Sequence, residues 1–60
     1  MKIYKCIFET ADAKYRTYSF YRTKLSFNLW DIVKLTRREC SEKEKRGENK
    51  WLVTDIIRIK

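Results

Sequence analysis

Histidine and proline are absent from this 60-residue chain, and glycine occurs once, at Gly47. Without histidine there is no imidazole to activate a serine or cysteine nucleophile. Two cysteines, Cys6 and Cys40, and no histidine leave too few ligands for a structural zinc site. A single glycine cannot build a phosphate-cradling loop. With no proline, tight turns fall to Asp, Asn, Ser, Thr or Lys. No apolar run approaches the roughly 20 residues that span a bilayer. Two cysteines are also fewer than a small secreted scaffold carries, and no signal peptide is expected. They read as two reduced thiols, Cys6 buried, in a cytoplasmic protein, with a Cys6–Cys40 disulfide as the lesser alternative. Asp31 and Asp55 could in principle work as an acid–base pair, but a chain this small forms no deep pocket around them. The expectation is a protein that is not an enzyme and takes no cofactor or metal.

What is present is positive charge and aromatic surface. The net charge is +7, with 15 Lys and Arg against 8 Asp and Glu. Residues 39–50 are neutral, residues 51–60 carry +1 and residues 1–38 carry +6. A basic folded surface attracts polyanions: nucleic acid, an anionic membrane or an acidic protein. Nine aromatics supply large apolar areas to a core that, at this length, buries only about 60% of the unfolded surface. One domain over 1–60 is expected.

Residues 2–9 (KIYKCIFE) alternate as a strand, with Tyr4, Cys6 and Phe8 in one row and Ile3, Lys5, Ile7 and Glu9 in the other. The two isoleucines of the second row call for cover by the chain or by a partner. Asp12 suits a turn at 10–13. Residues 15–22 (YRTYSFYR) read as a second strand in a hairpin with the first. Its row Arg16, Tyr18, Phe20, Arg22 is assigned to the core, leaving Tyr15, Thr17, Ser19 and Tyr21 outward. Residues 51–60 (WLVTDIIRIK) close the chain as a strand. Asp55 interrupts it and implies a bend or bulge, after which Ile56 to Ile59 pair with a different strand.

The stretch 25–35, LSFNLWDIVKL, admits two readings. As a strand, Leu25 and Phe27 line its approach, Asp31 bends it, Val33 and Leu35 point inward, and Lys34, Thr36 and Arg38 point outward. As a helix, Leu29, Ile32, Val33 and Thr36 share one face, Asn28 caps the start, and Gly47 is a natural end for a helix over 29–46. The strand reading is preferred because the apolar stripe fades after Thr36, leaving Cys40 alone. It gives a mostly β fold, a small antiparallel β-barrel of four to five strands, with Trp51, Phe20 and Val33 in the core. The alternative is α+β, ordered ββαβ. The succession of strand, aromatic-rich strand, WDIVK at 30–34, loop and WLV at 51–53 resembles small barrels of the Src-homology-3 type. Trp30 stands where those modules usually carry glycine. The resemblance implies the barrel fold and a kinship with modules found in short phage-encoded and nucleic-acid-associated proteins.

Basic residues interleave with aromatics at 14–24 and 34–38. Lysine and arginine neutralise phosphates, and exposed rings stack on bases. The expected function is therefore non-catalytic nucleic-acid binding with little sequence preference. Its residues are Tyr15, Tyr21, Lys34, Arg37, Arg38, Arg58 and Lys60. Tyr15 and Tyr21 rank above Tyr18 and Phe20 because their row is otherwise polar. Lys34, Arg38, Arg58 and Lys60 form one positive surface if the last two strands are neighbours. The alternative is a protein-interaction module, such as a small phage-type inhibitor or regulator of a host protein. It would bind an acidic protein through Ile3, Ile7 and Ile56 inside a basic rim. A homodimer through an apolar sheet face stays open. A membrane is not expected as partner, because no amphipathic basic helix is evident.

Overall fold

A computed structural model describes residues 1–25 and 28–60. Strand β1 (Lys2–Thr10) pairs antiparallel with β2 (Arg16–Thr23), in a register that places Tyr4 opposite Tyr21 and Phe8 opposite Thr17. Asp12 makes the turn between them: its carboxylate accepts from the Thr10 hydroxyl and from the Lys14 N–H. Ala13 takes the left-handed conformation there, at φ 58°.

Helix α1 (Leu29–Glu44) follows, then a short 3-10 helix (Glu48–Lys50) and strand β3 (Trp51–Arg58). β3 pairs antiparallel with the other side of β1, so the sheet order is β2-β1-β3. Of the bend or bulge expected near Asp55, the strand carries a bulge: Ile7 faces Asp55 while Phe8 faces Val53. Thr54 is the extra residue, and its hydroxyl donates to the Ile7 carbonyl. Both halves of β3 nevertheless pair with β1; they do not part to different strands. Among the described residues β2 and β3 never meet, and the sheet stays open. The expected closed barrel of four to five strands is therefore corrected to an α+β fold of three strands and one helix.

The reason lies in 25–46. The segment takes the helical reading, because helical spacing buries Ile32, Val33, Thr36 and Cys40 together and a strand would split them. Asn28 is the N-cap, its Oδ1 accepting from the Asp31 N–H at 2.9 Å. The helix ends at Lys45, in the left-handed region at φ 56°, rather than at Gly47. The WDIVK segment is thus helical, Leu35 is exposed, and Lys34 lies on the outer side of the helix. Phe27, expected on the approach to a third strand, lies outside the described residues.

The helix covers one face of the sheet, over Tyr4, Cys6 and Phe8. Cys6, Phe8, Ile32, Val33, Cys40 and Trp51 form the core, with Tyr4, Tyr21 and Ile56 packed against it. The faces of β2 are reversed from expectation. Thr17 is buried and Tyr21 packs inward, whereas Tyr18 and Phe20 lie on the uncovered face, edge to face at 5.5 Å. Phe20 therefore does not join Trp51 and Val33 in the core. Polar links hold the far half of the helix to β2: Thr17 donates to Glu44, Ser19 donates to Glu39, and Lys43 Nζ donates to the Tyr18 carbonyl. This last bond also occupies a backbone acceptor that the edge strand β2 would otherwise leave open.

Candidate nucleic-acid interface

The outer side of α1 is built by helical spacing. Trp30, Lys34, Arg37 and Arg38 recur at i, i+4, i+7 and i+8, which stacks them along one stripe. Together with Leu35, Glu48 and Asn49 they line a groove of about 530 Å³. Trp30 is 63% exposed there, whereas Trp51 is 2% exposed in the core. The Arg37 Nε–H is buried and has no acceptor among the described residues, so this guanidinium keeps unused donor capacity. Arg38 lies 3.6 Å from Glu42, one helical turn on, with both side chains exposed. A surface pair of this kind holds its arginine only weakly.

A second groove, of about 580 Å³, lies between the β1–β2 turn and the segment after α1. Tyr15, Arg46, Lys50 and Asp12 line it, and Asn49 lines both grooves. The Arg46 guanidinium sits 3.8 Å over the Tyr15 ring. The Thr10 hydroxyl, then the Lys14 N–H, hold the Asp12 carboxyl below its ordinary range.

Four of the seven sequence-assigned residues thus reach these grooves: Lys34, Arg37 and Arg38 in the first, and Tyr15 in the second. Tyr21 packs against the core. Arg58 and Lys60 line neither groove; Arg58 Nε donates to the Lys60 carbonyl at the end of the chain. They do not extend a strand surface with Lys34 and Arg38, which are helical. The alternative trio is split as well. Ile3 and Ile7 lie in the row of β1 turned from the helix, but Ile56 packs on the helix side.

Sequence reasoning passed over Trp30, Asn49, Arg46 and Lys50. Trp30 is legible only at helical spacing from Lys34. Arg46 and Lys50 sit in the neutral 39–50 segment, three of whose four acids have other tasks: Glu39 and Glu44 bind β2, and Glu42 faces Arg38, while Glu48 lines the first groove.

Burial pushes both core thiols, Cys6 and Cys40, up from the ordinary thiol range; the Thr36 hydroxyl partly offsets this at Cys6, and the Lys43 charge does so at Cys40. Both are free and buried, which makes them poor nucleophiles. Among the described residues no group of three His, Cys, Asp or Glu is placed to hold a metal, and no helix is long and apolar enough to cross a membrane. Comparison with protein-family models, curated proteins and solved structures finds no match to this chain.

Proposed function

We propose that this protein binds nucleic acid through the outer side of α1, with little sequence preference and without catalysis. The observation that carries the reading is the first groove, where one exposed indole and three cations share a helical stripe. Cations on this stripe neutralise phosphates and release counterions, a sequence-independent source of affinity. Micromolar-range binding at moderate salt is expected for a footprint this small.

The test is fluorescence anisotropy of a labelled oligonucleotide across a salt series. Reversing Lys34 and Arg38 to Glu should weaken binding and flatten its salt dependence. Reversing Arg58 and Lys60, which line neither groove, should matter less. Absence of binding at low salt, or equal losses from the two reversals, sinks the assignment to α1.

A second reading, docking of an acidic protein, is supported by the uncovered face of the sheet. Ile3, Phe20 and Ile57 lie there beside Lys5 and Arg22, without the helix over them, while Ile7 in the same row of β1 is buried and offers no anchor. Ile57→Glu would abolish such docking and leave oligonucleotide binding unchanged.

A further inference from the structure

We infer that the nucleic acid is single-stranded and runs across both grooves, with Trp30 and Tyr15 as stacking platforms at its two ends. This rests on the nucleic-acid reading of the α1 groove and narrows its substrate.

The two grooves have a common wall. Asn49 lines both, so the groove along α1 and the one beside the β1–β2 turn flank a single residue. Each contains one exposed aromatic and its own cations. Trp30 has Lys34, Arg37 and Arg38; Tyr15 has Arg46 and Lys50. Each of these residues is half exposed or more; Arg46 covers one face of the Tyr15 ring, which leaves the other face for a base.

Rings and cations in alternation suit a chain whose phosphates and bases are both accessible. In a duplex the bases are stacked on each other, and a protein ring finds only their edges. In a single strand every base offers a face, and stacking on an aromatic tolerates any sequence. Asn49, with one acceptor and two donors on its amide, stands between the platforms where it can meet a base edge without demanding one base. Two carboxylates border the path, Glu48 and Asp12, against five cations. Asp12 is engaged by Thr10 and Lys14, so its charge is already partly answered. The ligand chemistry is a sugar–phosphate chain with unpaired bases, common to DNA and RNA.

The two tryptophans make the test spectroscopic. Trp51 is sealed in the core, so quenching of indole emission on titration reports Trp30. The full chain is titrated with oligo-dT, with oligo-U, and with a duplex of equal length. Single strands are expected to quench emission and to bind about tenfold or more tighter than the duplex. A preference between the dT and U arms identifies the source. Trp30→Ala should lower single-strand affinity about tenfold or more and abolish the quenching. Trp30→Phe should restore most of the affinity, and duplex binding should be indifferent to both. Tyr15→Ala should act in the same direction as Trp30→Ala. Circular dichroism of each variant separates lost binding from lost fold. Duplex binding equal to or tighter than single-strand binding, with no quenching, overturns this inference while leaving nucleic-acid binding intact. Failure of every oligonucleotide to bind overturns the parent reading as well.

Discussion

The two sides of α1 have different chemistry and different tasks. Toward the sheet it presents Ile32, Val33, Thr36 and Cys40, all buried; toward solvent it presents Trp30, Lys34, Leu35 and Arg38, all exposed. Trp51 shows what the first side is for. It is an indole in contact with the helix-side core, contributing a large buried area. Trp30, the same residue type, contributes much less of that kind, since it is 63% exposed. An apolar ring of this size kept exposed among cations is open to a ligand, the role proposed for it above, whereas the buried ring is part of the fold. Stability and binding should then be separable by mutation along one helix.

The largest effect expected is on the buried side. Phe8→Ala should cost about 3–5 kcal/mol, enough to unfold a domain of this size. Phe20→Ala, on the uncovered face, should cost about 1–2 kcal/mol, because the ring is only partly removed from water. Urea denaturation of both variants checks this, and equal losses would mean that the two faces of the sheet are not as different as their burial.

Within the helix, Ile32→Ala should cost about 2–5 kcal/mol, and Leu35→Ala about 1 kcal/mol or less. Three residues apart, they sharpen the comparison to a single turn. A Leu35 variant as damaging as the Ile32 variant would place Leu35 in the core.

The thiols give a pH test of the buried side. Both Cys6 and Cys40 have pKa values raised by burial, so the native state holds protons that the unfolded chain releases first. Their contribution is complete below the unfolded thiol range and is lost as pH rises above it. Stability should therefore be flat in this respect at neutral pH and decline above about pH 9. Alkylation by a thiol reagent should follow unfolding, not precede it. Rapid labelling of the native protein at neutral pH would contradict their burial.

Asn28→Ala removes the N-cap bond to Asp31 and should cost about 1 kcal/mol, read as a modest loss of melting temperature. The smallest effect on stability belongs to the outer side. Reversing Lys34 and Arg38 to Glu should change stability by about 0.5 kcal/mol or less. The same double reversal should reduce the salt slope for single strands by about 1.4, two phosphate contacts at about 0.7 each. A large loss of stability from it would couple the two sides of the helix.

Much of this was legible in local pattern. The β1–β2 hairpin, its turn at Asp12, the Asn28 cap and the irregularity near Asp55 each depend on residues close in sequence. So did the basic run Lys34, Arg37 and Arg38, although not its neighbour in space, Trp30. What was not legible was the choice between strand and helix over 25–46. The apolar stripe stops at Cys40, and the later turns dock through Glu39, Lys43 and Glu44 onto β2 by polar bonds. Such bonds have no hydrophobic period, so the helix looked too short of apolar residues to pack.

The chain's amino-acid order alone determined the hairpin, the placement of excess positive charge outside 39–50, and the lack of a histidine-based nucleophile, because these follow from composition and near neighbours. The tertiary structure decided which face of β2 turns inward. Both rows of that strand carry aromatics, so alternation cannot rank them. The face is selected by Thr17 and Ser19 meeting carboxylates 27 and 20 residues away. It likewise brought Arg46, Lys50 and Asn49 beside Tyr15 and the helix stripe. Pairings over such separations depend on where an element lands, and nothing in the spacing of residues within one element specifies that.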